Sequence, residues 1–200
     1  NSALTETWNG TNWTEVNDMN TARYSIGGFG TQTSAIVFGG ESTATELWNG
    51  TNWATVNSLN TERQNTAGAG ASNSSGIAFG GGPPATVNTE TWDGTTWTEM
   101  NNMSDSRFGL NGAGTQTTAI ASGGFQPPAP STGATEEWNA GVNLAAWFTN
   151  NNMNDNFGLR AGAGATTSAI VGGGSQGTSP FAAVNNSESW NGTNWSQVNN

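Results

Sequence analysis

Apolar and polar positions fall into two kinds of segment that alternate along the chain. The first kind sets a tryptophan on each side of a short polar turn. It reads Glu6-Thr-Trp8-Asn-Gly-Thr-Asn-Trp13, then Glu46-Leu-Trp48-Asn-Gly-Thr-Asn-Trp53, then Glu90-Thr-Trp92-Asp-Gly-Thr-Thr-Trp97. A degraded copy, Glu136-Glu-Trp138-Asn-Ala-Gly, delays its second tryptophan to Trp147, and the last copy is Glu188-Ser-Trp190-Asn-Gly-Thr-Asn-Trp195. An Asn-Gly or Asp-Gly pair between two short runs is a strong hairpin signal, so each copy predicts two short antiparallel strands.

The second kind is a stretch of small residues and glycine followed by a short apolar run that stops at a glycine pair. It runs from Arg23 to Gly40 with Ile36-Val-Phe before the glycines, and from Arg63 to Gly82 with Ile77-Ala-Phe. It returns from Arg107 to Gly124 and from Phe157 to Gly174. A continuous apolar run of this length suits a strand buried on both faces. The glycine-rich arm suits a strand whose backbone lies close to others. Each segment therefore predicts a second hairpin, and no stretch has the period of an amphipathic helix.

Two hairpins in succession make a four-stranded unit of about 40 to 50 residues, the size of one β-propeller blade. The prediction is an all-β chain, residues 1–200 forming one propeller domain, with blades at about 22–58, 62–100, 106–152 and 157–200. Five tryptophan hairpins against four glycine hairpins leave the one at residues 3–17 without an inner partner. Three outcomes follow: four blades plus an incomplete fifth, a hairpin that completes a blade in another copy, or a segment of a longer array. The expectation is a small closed or nearly closed ring of four to five blades. A homo-oligomer formed through the N-terminal half-blade is the associated partner expectation.

The pattern resembles the kelch repeat. The points of likeness are an arginine opening the first strand (Arg23, Arg63, Arg107), a second strand ending in Gly-Gly, a glutamate two residues before an aromatic, and a tryptophan in the fourth strand. The likeness covers essentially the whole chain. It departs from the kelch pattern where tryptophan replaces the usual tyrosine of the third strand. It departs again in the fourth unit, where Phe157 stands in the arginine's place and Arg160 arrives three residues late. The repeated Glu and Arg are read as pairs within or between blades, with Glu136 expected to have no arginine in register. Kelch-type propellers include a copper oxidase whose metal is held by His and Tyr; this chain has no His and one Tyr.

Composition narrows the function classes. The chain has no Cys and no Lys, four cations that are all Arg, and a net charge of −10. Nucleic acid and anionic membranes need clustered basic residues, so neither is an expected partner. Without His, Cys or Lys, nucleophile and base pairs shrink to carboxylates and hydroxyls. A glycosidase needs two acids set apart from the scaffold; the repeat claims five of the ten Glu, and no unique acidic pair stands in the long loops. No enzyme activity, metal or cofactor is expected. The Asn-Gly-Thr sequences match glycosylation acceptors, but the hairpin turn accounts for them.

All ten tryptophans, Trp8, Trp13, Trp48, Trp53, Trp92, Trp97, Trp138, Trp147, Trp190 and Trp195, occupy repeat positions and are assigned to packing. So are Glu6, Glu46, Glu90, Glu136 and Glu188. The candidate ligand contacts, Phe125, Gln126, Gln176 and Phe181, lie instead in the loops after each glycine pair, which lengthen along the chain from the one with Pro83-Pro84 to those with Phe125-Gln126-Pro-Pro128 and with Gln176 to Phe181. Varied loops on a repeated scaffold are where binding usually resides. The four-residue expansion around Val142 to Phe148 falls on the opposite face and is read as local packing. Near-identical Trp-Asn-Gly-Thr repeats without Lys or Cys look like kelch-like arrays of marine bacteriophage tail-fibre and structural proteins. That likeness implies a non-catalytic receptor-binding or virion module that attaches to a surface glycan or protein, in a virion or extracellular setting. The alternative is a secreted bacterial surface scaffold for protein interaction, and a carbohydrate-active enzyme is the third and last-ranked reading.

Overall fold

The computed structural model describes residues 2–128, 130–141, 145–159, 161–176 and 182–198. These residues form strands and no helix. An N-terminal hairpin, β1 (Thr5–Trp8) and β2 (Trp13–Val16), stands as a two-stranded sheet. Blade one follows with β3 (Ile26–Thr31), β4 (Ser34–Gly39), β5 (Thr45–Trp48) and β6 (Trp53–Val56). Blade two has β7 (Ala67–Ser72), β8 (Ser75–Phe79), β9 (Thr89–Trp92) and β10 (Trp97–Glu99). Blade three has β11 (Asn111–Gly114), β12 (Thr118–Ser122), β13 (Thr135–Asn139) and β14 (Ala146–Asn150). Blade four has β15 (Ala161–Ala165) and β16 (Ser168–Gly172), a loop carrying the small pair β17 (Ser175–Gln176) and β18 (Ala182–Ala183), then β19 (Ser187–Trp190) and β20 (Trp195–Val198).

Each blade is an antiparallel meander in chain order, and the four sheets stand round a common axis as a four-bladed β-propeller. The innermost strands β3, β7, β11 and β15 pack side by side in sequence. The expected blades and the surplus N-terminal hairpin are both present.

The turn of the tryptophan hairpin differs in detail from a two-residue Asn-Gly turn. Trp8 faces Trp13 across the strands, so four residues close the loop. The side-chain oxygen of Asn9 accepts hydrogen bonds from the amides of Thr11 and Asn12, at 2.9 Å each. Asn49, Asp93 and Asn191 do the same in their copies. A short polar side chain that mimics a backbone turn explains the residue choice. The paired tryptophans then sit 5.3–5.7 Å apart between ring centroids, tilted against each other.

The glycine pair joins one blade to the next. In Gly39-Gly40, Gly80-Gly81 and Gly123-Gly124 both residues have positive φ. The second amide donates to a carbonyl of the following blade: Gly40 to Arg63, Gly81 to Arg107 and Gly124 to Phe157, at 2.8–2.9 Å. A Cβ on Gly39 would lie 2.7 Å from the Arg63 carbonyl oxygen, so both the dihedral and the close approach demand glycine. Next to the axis a second set of bonds runs blade to blade. The amides of Asn65, Gly109 and Leu159 donate to the carbonyls of Ser25, Asn65 and Gly109.

The core lies between blades. Phe38 of blade one meets Trp97 of blade two edge-on at 5.1 Å, and Phe79 of blade two meets Trp147 of blade three at 4.8 Å. The indole N–H of Trp53, Trp97, Trp147 and Trp195 reaches back to the hydroxyl of Thr5, Thr45, Thr89 and Thr135 in the preceding hairpin, at 3.0–3.1 Å. A buried indole N–H needs such a partner. Ile36, Ile77 and Ile120 are buried in the middle of the second strands.

Candidate functional site: the loop face and central funnel

The charged residues of the repeat are built into the scaffold. Arg23, Arg63 and Arg107 open their blades and reach across the sheet to the third strand. Nη1 of Arg107 donates to the carbonyls of Gly123 and Ala134 at 3.0 and 2.7 Å, and Nη2 donates to Glu136 Oε1 at 2.7 Å. Arg23 binds Gly39, Ala44 and Glu46 in the same way, and Arg63 binds Gly80, Asn88 and Glu90. All six side chains of these ion pairs are at most 3% exposed. Burial lowers the pKa of Arg63 and Arg107 from the ordinary value, and the charges of Glu90 and Glu136 push back.

The other glutamate oxygen holds the linker from the preceding unit. Glu46 Oε2 accepts from the Asn20 amide and side chain, Glu90 Oε2 from Asn60, and Glu188 Oε2 from Asn154. Glu136 Oε2 accepts from the Ser104 amide at 2.7 Å. Glu46, Glu90 and Glu136 therefore each tie three chain segments together, and Glu188 is fully buried on Asn154 and Asp155, so none of these four is presented to a substrate. The Arg107–Glu136 pair corrects the expectation that Glu136 has no arginine in register. The register runs within the blade, from its first strand to its third. The unit with a phenylalanine in the arginine's place is blade four, where Phe157 is buried and its carbonyl still takes the Gly124 amide. Arg160 lies outside the described residues.

The accessible chemistry is on the face that carries the linkers and the loops after each glycine pair. Two concavities open there. The first is a funnel on the axis of about 430 Å³, with Ser25, Asn65, Gly109 and Leu159 at its rim and the glycine-rich first strands as its wall. Ser25, Asn65 and Leu159 hold φ of 50–54°. That conformation costs a non-glycine residue about 1 kcal/mol or more. Asn111 also lines the funnel. Its Nδ2 is buried and has no hydrogen-bond partner among the described residues. The second concavity is a cleft between blades one and two lined by Glu41, Glu62, Gln64, Pro83 and Pro84.

The four predicted contact residues are placed unequally. Phe125 is 4% exposed and stacks on Phe108 at 5.4 Å, and its backbone pairs with Phe108 through both hydrogen bonds. Its ring serves packing under the loop. Gln126 is half-buried beside it, and Gln176 is exposed on β17. Phe181 lies outside the described residues, as do Val142, Asn143 and Leu144 of the expanded hairpin; Trp147 and Phe148 are described, the first buried and the second exposed.

Sequence reading missed Asn111, the asparagine or serine that grips each Glu, and the threonine that receives each indole N–H. Aligning the glycines would have found the first. Asn111 occupies the position held by Gly27, Ala67 and Ala161, and is the one polar side chain among the four. Leu59, Met103 and Met153 form another overlooked set, buried under the linkers with amides donating to Thr43, Val87 and Gly133.

No family model matches the chain, and no curated protein matches it.

Proposed function

We propose that the chain is a kelch-like propeller used for binding and assembly, without catalysis, and that it recognises its ligand on the loop face. The observation that carries this reading is the division of labour in the molecule. Arg23, Arg63, Arg107 and their glutamate partners are locked into the scaffold by ion pairs, while the funnel wall carries an asparagine amide, on Asn111, that no described residue satisfies. Asn111 Nδ2 is a donor without an acceptor, on the wall of a concave site. A neutral ligand rich in hydroxyl oxygens suits it, because an unpaired buried donor costs about 1–3 kcal/mol until an acceptor arrives. A surface glycan supplies such oxygens. The net charge of −10 favours a neutral or cationic ligand over an acidic one. The corresponding setting is a virion attachment or structural module.

The test is binding of the purified chain to a panel of neutral and acidic bacterial surface polysaccharides. Asn111→Ala, Gln126→Ala, Gln176→Ala and Phe181→Ala are compared with Thr95→Ala on the opposite face. Saturable binding of a neutral glycan, lost in loop-face variants and kept in Thr95→Ala, is the expected result. Cleavage of any glycoside by the purified chain, or binding that only opposite-face variants reduce, would overturn it.

A further inference from the structure

The funnel is walled by equivalent segments of four blades, so a residue type that occurs in one of them belongs to the funnel and not to the repeat. Two such residues lie together. At the rim, Ser25, Asn65, Gly109 and Leu159 are equivalent, and Leu159 is the apolar one, 49% exposed. Two residues further along the wall, Gly27, Ala67, Asn111 and Ala161 are equivalent, and Asn111 is the polar one. Both fall on the seam between blades three and four. A Cβ on Gly109 would lie 2.9 Å from Leu159 Cδ2, and a Cβ on Gly162 would lie 3.2 Å from Asn111 Cγ. Each side chain therefore sits against a glycine of the neighbouring blade.

The polar side chains that blade two gives to the funnel are already committed. Asn65 Nδ2 donates to the Gly82 carbonyl at 3.2 Å, and Thr66 Oγ1 donates to the Phe79 carbonyl at 3.1 Å. Asn111 is 9% exposed, and its Nδ2 is buried with no acceptor among the described residues. The seam thus offers one unsatisfied donor beside an exposed isobutyl group. A hydroxyl placed there would satisfy the donor but bring a proton that needs an acceptor of its own. A carbonyl oxygen only accepts. A methyl group next to that carbonyl would cover part of Leu159, and removing apolar surface from water is favourable. The small neutral group with both parts is acetyl.

We propose that the seam side of the funnel is a subsite for an acetyl group of the ligand, whose carbonyl oxygen accepts from Asn111 Nδ2 and whose methyl packs on Leu159. The inference rests on the glycan reading for what carries the acetyl group. The same chemistry comes as N-acetyl on an amino sugar or as O-acetyl on a hydroxyl. Because the pair of residues occurs once among the four blades, one ligand binds per chain and in one orientation.

The probes are the methyl glycosides of glucose, glucosamine, N-acetylglucosamine and an O-acetylated glucose, with N-methylacetamide as an acetyl group without a sugar. Each is titrated into the isotope-labelled full chain, and NMR follows the Asn111 side-chain amide, identified by its loss in Asn111→Ala. The expected result is a saturable 1:1 shift with the acetylated glycosides and binding about tenfold weaker or more without the acetyl group, the scale of one unsatisfied donor. The tighter of the two acetylated glycosides identifies the source. Asn111→Ala, which copies Ala67 and Ala161, is expected to abolish the preference for acetylated forms. Leu159→Asn, which copies Asn65, is expected to weaken N-acetylglucosaminide binding several-fold, and Thr95→Ala to change nothing. The proposal fails if no acetyl probe moves the Asn111 signal, or if glucoside binds as well as its acetylated forms. It fails equally if glucosaminide, which carries a positive charge, binds more tightly than its N-acetyl form, or if Asn111→Ala keeps the preference. A shift with N-methylacetamide and none with any glycoside or polysaccharide keeps the acetyl subsite and overturns the glycan reading. Loop-face binding of an unacetylated polysaccharide in preference to acetylated ones does the reverse.

Discussion

Residues 5–8 and 89–92 are the same four amino acids, Thr-Glu-Thr-Trp. Both segments begin a tryptophan hairpin. Their tryptophan pairs have nearly the same geometry, 5.5 Å and 44° for Trp8–Trp13, 5.3 Å and 45° for Trp92–Trp97. Both loops are closed by a side-chain oxygen, from Asn9 or Asp93, on two amides. Their surroundings differ. In β9 three of the four residues are buried, while in β1 none is. The hairpin is therefore a local product of its own eight residues, and the burial of Glu90 and Trp92 is supplied by the neighbouring strand β8 together with Asn60, Arg63 and the Asn73 carbonyl. One sequence read twice separates what the turn dictates from what the blade adds.

The comparison can be broken most severely at the tryptophan. Trp92→Ala is expected to cost about 3–5 kcal/mol, the range for emptying a buried aromatic site, while Trp8→Ala costs less than about 1 kcal/mol because its ring is already half in water. Equilibrium urea unfolding of the two variants measures both. A similar contrast is expected at the ion pairs. Arg107→Met leaves the Glu136 carboxylate buried and uncompensated, a loss of about 3–5 kcal/mol, and adding Glu136→Leu recovers much of it. Glu6→Gln is expected to change stability by less than about 0.5 kcal/mol. Equal losses in Arg107→Met and the double variant would mean that arginine packing, not charge, holds the blade.

The hydroxyl that receives each indole N–H offers a finer contrast. Thr45→Val orphans the buried Trp97 N–H and is expected to cost about 1–3 kcal/mol. Thr5→Val, facing the less buried Trp53, costs about half or less, since water can replace the hydroxyl. Thermal melts of both variants test the difference. The smallest effect is at the loop acid. Amide hydrogen bonds from Thr96 and Thr95 hold the Asp93 carboxyl below the usual carboxylate range. A carboxyl lowered by folding stabilises the native state above its unfolded value of about 3.9, and that part is lost as pH falls through the folded value. Asp93→Asn is therefore expected to flatten the acid limb of a melting-temperature profile slightly below pH ~4, with no change near neutrality. A parallel profile for both proteins would show that the loop amides do not distinguish acid from amide.

The repeat made the strands and their pairing legible, and it narrowed the ring to four or five blades. Those features rest on signals a few residues long, such as Asn9-Gly10 and Gly39-Gly40, that recur at the same place in most units. The Arg–Glu pairing was legible in kind and misplaced in one unit. Arg107 and Glu136 are separated by the long loop of blade three, and spacing alone does not reveal that a first strand reaches over a second to touch a third. Phe125 looked free because it interrupts no repeat. It is buried because Phe108, seventeen residues earlier in the chain, offers a ring to stack on. Asn111 looked like any other residue of a glycine-rich arm, and only the convergence of four such arms on one axis makes a lone amide there conspicuous. Periodicity shows what each unit shares; what sets one unit apart depends on contacts between units.

The backbone bonds round the funnel mouth, from Asn65 to Ser25, Gly109 to Asn65 and Leu159 to Gly109, all run in one sense. So do the glycine amides that bind the carbonyl of the next blade. The junctions therefore have a head and a tail, and the same backbone groups make each of the three. Duplicating or deleting one unit in the gene leaves the two flanking junctions chemically the same as before. The number of blades is thus a quantity that recombination can change in a single step, while the buried pairs inside a blade can change only together.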